Sequence, residues 1–160
     1  MLNIFKKKFL KHFLKSYILY LQFPFIQFYK GCTILDDMPI GWKKAFGVQM
    51  CREIKDALLR NGGRKALKQY HVDQVKEKYG SLRWYDSYGN DEVNDIIAKY
   101  ECISYYTCVD CGRPAKYQSK GWICPYCEEH IGDRPRSQFY YDLDFYGYKS
   151  FKLSSPTIEN

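Results

Sequence analysis

His71-Val72-Asp73-Gln74-Val75-Lys76-Glu77-Lys78-Tyr79-Gly80-Ser81-Leu82-Arg83-Trp84-Tyr85-Asp86 is the stretch that decides the fold. Its apolar residues, Val72, Val75, Tyr79, Leu82, Trp84 and Tyr85, keep to no helical face for long, and Gly80-Ser81 divides two short runs rich in Val, Tyr and Trp. Such runs suit a pleated, half-buried surface, and the glycine between them permits a tight reversal. The pattern predicts a β-hairpin with strands over about Val72 to Lys78 and Leu82 to Asp86, closed near Tyr79 to Ser81. Lys76, Glu77, Lys78 and Arg83 would decorate its solvated face.

Helical periodicity flanks the hairpin on both sides. Upstream, Asp36, Asp37 and Pro39 form a loop into a helix from about Trp42 to Arg60. Its buried face is Trp42, Phe46, Met50, Ile54, Ala57 and Leu58, and Asn61-Gly62-Gly63 supplies residues that end a helix. Cys51 falls on the same face and reads as a buried structural thiol. Downstream, Tyr88-Gly89-Asn90 is a turn, and Asn90 or Asp91 can cap a helix whose first turn is acidic, as its dipole prefers. Val93, Ile96, Ile97, Tyr100 and Ile103 mark its buried side, and it should run into Tyr105 and deliver the chain to Cys108. The expected architecture is α+β, a small body of two main helices and a β-hairpin with a C-terminal zinc knuckle or ribbon.

Seven cysteines are an odd number, and four of them form two C-x-x-C pairs, which favours a reducing interior and metal binding over a disulfide framework. The protein is therefore expected in a cytoplasm. Cys108-Val109-Asp110-Cys111-Gly112 reads as a knuckle, its glycine giving the backbone room to turn amides toward thiolates. The second cluster is Cys124-Pro125-Tyr126-Cys127-Glu128-Glu129-His130, so five candidate ligands compete for a four-coordinate Zn2+. Cys108, Cys111, Cys124 and Cys127 would make a four-cysteine ribbon. Cys108, Cys111, Cys127 and His130 would make a three-cysteine, one-histidine site. Either is closed and structural, and spacing alone leaves both open.

Residues from Gly41-Trp42 to His130 resemble an uncharacterised family of small phage- and prophage-encoded zinc-knuckle proteins. The resemblance rests on the Gly-Trp helix, on the segment from Gln74-Val75-Lys76-Glu77-Lys78 through Trp84-Tyr85, and on the acidic helix. It continues through Thr107-Cys108-Val109-Asp110-Cys111-Gly112, Gly121-Trp122 and the final Cys127-Glu128-Glu129-His130. It implies a mobile-element origin and a structural zinc. In that family the position of Cys124 is usually not cysteine, so the resemblance favours Cys108, Cys111, Cys127 and His130, with Cys124 as the alternative fourth ligand.

Three enzymatic readings of the same residues fit less well. Cys124-Pro125-Tyr126-Cys127 matches the active-site motif of glutaredoxins, but those place it early, before a long α/β remainder. A zinc nucleobase deaminase needs His-x-Glu upstream, and the nearest candidate is His71-Val72-Asp73. A metal-dependent nuclease needs a general-base histidine, and His12, His71 and His130 are the only histidines. The reading is non-enzymatic.

Composition bounds the rest. The 160 residues, 46% hydrophobic and 18% aromatic, can bury a real core but leave no room for two full-sized domains. The organisation expected is a basic aromatic segment at 1–40, an α+β body at 41–107, a zinc module at 108–133 and an aromatic tail at 134–160. The net charge of +7 is concentrated at the start, where residues 1–30 hold six lysines and no acid. A signal-peptide reading of this start fails because Lys11, His12 and Lys15 interrupt the early part, and the apolar run is too short to span a bilayer. An amphipathic helix from about Ile4 to Leu21, packed on the body, is expected instead. Lys6, Lys7, Lys8, Lys11 and Lys15, extended by Arg60, Arg64, Lys65 and Lys68, are the candidate nucleic-acid surface. Tyr140, Tyr141, Phe145 and Tyr146 in the tail are the candidate surface for a host protein or protein complex. The function expected is binding and modulating a host macromolecule, for example as an anti-defence inhibitor, with nucleic-acid binding as the alternative.

Overall fold

A computed structural model describes residues 2–138, with side chains from Lys6 onward. Helix α1 (Leu2–Gln22) leads through 3-10 turns at Pro24–Ile26 and Ile34–Asp37 to the short α2 (Ile40–Trp42). A π-helical turn, Lys43–Gly47, joins α2 to α3 (Val48–Gln69). Strands β1 (His71–Lys78) and β2 (Ser81–Ser87) follow, then α4 (Asp91–Tyr105). The cysteine-rich region holds β3 (Tyr117–Ser119), β4 (Pro125–Tyr126), the one-turn α5 (Glu128–Ile131) and β5 (Arg136–Gln138). The fold is α+β, with an antiparallel β1–β2 hairpin and a second antiparallel sheet in the order β4-β3-β5.

The hairpin closes through a two-residue loop. Tyr79 and Gly80 both have positive φ, 53° and 78°, and Lys78 pairs with Ser81. That geometry matches the right-handed twist of the strands, and glycine takes its half of it without a steric penalty. Val72 pairs with Asp86 and Val75 with Trp84, so Asp73 is one residue too many and bulges. The bulge reconciles a three-residue spacing with a two-residue period, and Val72 and Val75 are both buried along with Leu82 and Trp84.

Trp42, Phe46, Met50, Ile54, Ala57 and Leu58 form one continuous buried stripe. They join Val93, Ile97 and Tyr100 of α4 and the hairpin residues in a single core that also includes Phe23, Phe25, Ile26 and Leu35. Burial of each large side chain contributes about 1.5–3 kcal/mol. Asn90 caps α4, its Oδ1 accepting from the Val93 amide at 3.0 Å. Polar groups inside are paired. Trp84 Nε1 donates to the Tyr70 hydroxyl at 3.1 Å, and the Leu82 amide donates to Ser104 Oγ at 2.7 Å. Cys51 is fully buried, and desolvation pushes its thiol pKa far up, as an inert core thiol requires.

One expectation is met and extended, and one is refined. The helical run from Val48 ends at the glycines as expected, and a second run follows directly, so α3 is two helical runs joined at a kink. Gly63 breaks the helical conformation with φ 61° and ψ −152°, yet residues 64–69 resume it because Ala66 and Leu67 pack against the core. Helix α1 does pack on the body, and among the described residues along one side only. Ser16 is buried, Leu19 reaches the core, and Phe13 and Tyr20 pack on Phe28. Phe9, Leu10, Leu14, Tyr17, Ile18 and Leu21 are exposed. No helix among the described residues is long and apolar enough to cross a membrane. Residues 136–138 of the expected tail belong to the second sheet, where β5 pairs with β3. The aromatic candidates Tyr140, Tyr141, Phe145 and Tyr146 lie outside the described residues.

Candidate metal centre

The cysteine-rich region is assembled by backbone pairing rather than by a large core of its own. Thr107 bridges Pro114, the Cys108 amide donates to the Arg113 carbonyl at 2.8 Å, and the Gly112 amide donates to the Cys108 carbonyl at 3.0 Å. Gly112 takes φ 83°, the left-handed turn that glycine allows and that aims successive amides inward. The second loop is laced to the first by Val109 N–H to Pro125 O at 3.1 Å and Lys116 N–H to Tyr126 O at 2.9 Å. Strand β4 thus delivers Cys127 beside the knuckle, and α5 carries His130 round by one turn.

Four ligand atoms converge. The Sγ atoms of Cys108, Cys111 and Cys127 and a ring nitrogen of His130 all lie within 4.8 Å of one another, so this group can hold a metal ion. Cys111 Sγ is 3.7 Å from Cys127 Sγ, and Cys127 Sγ is 3.0 Å from His130 Nδ1. Cys124 is not in the group. Its side chain is buried in the body's core, its amide donates to Ser119 Oγ at 3.0 Å, and desolvation pushes its thiol up to about 11.

Electrostatics at the cluster favour thiolates on its outer side. Desolvation works against ionisation at both knuckle cysteines. At Cys108 it prevails over hydrogen bonds from the backbone amides of Cys127, Cys111 and Asp110, leaving the thiol at about 11. At Cys111 the side chain and amide of Arg113 and the neighbouring thiols outweigh it, and the pKa falls to about 7. Arg113 Nε donates to Cys111 Sγ at 3.4 Å, and its guanidinium also pairs with Glu129 and approaches Cys127 Sγ at 3.8 Å. Arg113 and Glu129 therefore clamp the solvent side of the cluster, orienting its ligands.

The inner side is pressed against the body. The Gly41 amide donates to the Val109 carbonyl at 2.8 Å, and Trp42 Nε1 donates to the Thr107 carbonyl at 2.7 Å across a buried contact. A Cβ on Gly41 would run into the Cys108 carbonyl oxygen and come 2.7 Å from the Gly112 amide nitrogen. Sequence reasoning missed this docking, and it missed Arg113 and Glu129. The signals were a glycine at the start of a helix, where alanine would serve better, and an arginine directly after Cys-Gly.

The other candidates are less concentrated. His12, Cys32 and Asp36 also bring ligand atoms within 4.8 Å, but the carboxylate of Asp36 already pairs with Lys43 and accepts the Thr33 amide, and His12 and Cys32 are exposed. His71 is engaged by the Gln69 carbonyl at 3.1 Å and by Asp73 at 3.2 Å. A shallow recess of about 360 Å³ beside β2 holds the Arg83–Glu101 pair and Cys102, whose thiol is pushed up by desolvation rather than activated. The lysines at 6, 7, 8, 11 and 15 are all exposed on α1, whereas Arg60 is paired with Glu92. Comparison with protein-family models, curated proteins and solved structures finds no match to this chain.

Proposed function

We propose that the protein is a non-enzymatic binding protein whose C-terminal region is stapled by a structural Zn2+. One observation carries the reading, the convergence of four soft or borderline donors, with no fifth donor grouped with them among the described residues. Zinc prefers tetrahedral thiolate and imidazole ligation, and two thiolates bound at about 2.3 Å must stand about 3.8 Å apart. The Cys111–Cys127 separation of 3.7 Å matches that edge. With Cys108, Cys111, Cys127 and His130 filling the tetrahedron, no site is left for an activated water, so the ion would serve the fold rather than catalysis. Cys108, Cys111, Cys127 and His130 would hold the ion, whose Lewis acidity would stabilise the three thiolates. The chain adds backbone amides and the Arg113 guanidinium directed at the same sulfurs.

The resemblance to phage-encoded zinc-knuckle proteins supports a mobile-element origin and, with it, a host macromolecule in the host cytoplasm as target, a defence component among the options. Metal analysis of the purified protein tests the centre, with one zinc per chain expected and tetrahedral cobalt absorption after exchange. Zinc content unchanged in both Cys111→Ser and His130→Ala would overturn it. A pull-down from host lysate with and without nuclease treatment tests the target. A stoichiometric protein that survives nuclease supports this reading. Recovery of nucleic acid alone, with steep salt dependence, supports the accessory nucleic-acid-binding reading instead, which the exposed lysines of α1 favour.

A further inference from the structure

Helix α1 has two apolar sides, and among the described residues only one is covered. Ser16, Leu19 and Phe23 face the body, and the helix is fastened there by Lys55 Nζ donating to the Gln22 carbonyl at 2.9 Å and by the Phe13–Phe28 ring contact. Across the helix, Leu10, Leu14, Ile18 and Leu21 recur at intervals of four, four and three residues, which places them on one stripe, while Tyr17 at its border packs edge-on to Phe28. Leu10, Leu14, Ile18 and Leu21 are 57%, 49%, 51% and 60% exposed. Lys11 and Lys15 run along the edge of that stripe, Lys6, Lys7 and Lys8 precede it, and residues 1–30 carry no acid.

We infer that this outer face of α1 binds an anionic lipid surface, lying in the headgroup plane with the stripe inserted and the lysines on the phosphates. The charge complementarity is what selects the occupant. A helix with an apolar face, a lysine-rich edge and too little hydropathy to cross a bilayer is the pattern of an interfacial helix. A second copy of the chain would bring two acid-free lysine clusters together. Nucleic acid would engage the lysines but leave the leucine and isoleucine side chains in water. An anionic membrane satisfies both sets of groups at once. This inference is independent of the metal centre, which lies at the other end of the chain.

The test is co-sedimentation of the full chain with vesicles of phosphatidylcholine alone, or with about a third phosphatidylglycerol. Binding is expected to the anionic vesicles, weakening with salt, and to be much weaker to the neutral ones. Each of Lys11→Gln and Lys15→Gln should lower partitioning about fivefold at low salt, and Leu14→Ser with Ile18→Ser about tenfold or more. These positions are half exposed, so unchanged circular dichroism is expected and separates lost binding from lost folding. Failure to bind anionic vesicles overturns the inference, as does binding that the paired serine substitutions leave unchanged. Two further outcomes also overturn it. One is a dimer abolished by the serine substitutions without vesicle binding. The other is oligonucleotide binding that only the lysine substitutions weaken, again without vesicle binding.

Discussion

Replacing Gly41 by alanine sets two physical effects of opposite sign against each other. Gly41 opens α2 with helical backbone geometry, so intrinsic propensity alone favours alanine by up to about 1 kcal/mol. The tertiary contact says the reverse. The added methyl would run into the Cys108 carbonyl oxygen and lie 2.7 Å from the Gly112 nitrogen and the Val109 carbonyl carbon, all backbone atoms that cannot rotate away. Relieving the overlap must separate the knuckle from α2. That move weakens the 2.8 Å Gly41–Val109 bond and the buried 2.7 Å bond from Trp42 Nε1 to the Thr107 carbonyl. Two such bonds at about 1 kcal/mol each, with about 1–3 kcal/mol of overpacking, outweigh the propensity gain and leave a net loss of about 2–4 kcal/mol. For a chain of this size that is a fall of roughly 5–15 °C in Tm. Thermal unfolding followed by circular dichroism in excess zinc reads the number, and competition with a chelator reads the accompanying loss of metal affinity. A G41A protein as stable as its parent, or more so, would refute the docking argument.

The remaining expectations are narrower. His130→Ala should release zinc to a weak chelator, whereas Cys124→Ala should retain it and lose only about 1–2 kcal/mol of packing, because Cys124 is 5% exposed in the core. Metal analysis and denaturant titration of the pair decide this. Leu58→Ala should cost about 2–5 kcal/mol in urea unfolding, since Leu58 is fully buried. Glu53 gives a pH prediction. Desolvation raises its pKa, but hydrogen bonds from Lys99, Gln49 and Tyr100 outweigh that and hold it below its ordinary 4.5. A carboxyl depressed on folding stabilises fully above its unfolded-state pKa and loses that contribution as pH falls through the lower folded-state value. Glu53→Gln should therefore lower stability at neutral pH and flatten the acid limb of the stability profile. A profile parallel to the parent's would contradict it.

The hairpin, the two main helices and the Asn90 cap were legible in the sequence because they depend on local pattern. Alternation, helical spacing and a glycine in a tight turn act between residues close in the chain, so they survive without a structure. The knuckle was legible for the same reason, since Cys108, Cys111 and Gly112 are neighbours. What stayed open was every decision between distant segments. Cys124 and His130 stand equally well placed along the chain, and only the pairing of β4 with β3 turns one into the core and brings the other to three sulfurs. The glycines at 62 and 63 read as a stop and act as one at Gly63, but the second helical run to Gln69, with Ala66 and Leu67 packed against the core, depends on tertiary contact. Helix α1 shows two apolar faces in its periodicity, and periodicity has no term for which of them the body covers. Local pattern was enough for the elements and the candidate donor types. Which four donors converge, how closely Gly41 approaches the loop at 108–112, and which face of α1 the described residues leave exposed were settled by packing, because each depends on backbone positions that only contacts across the chain fix.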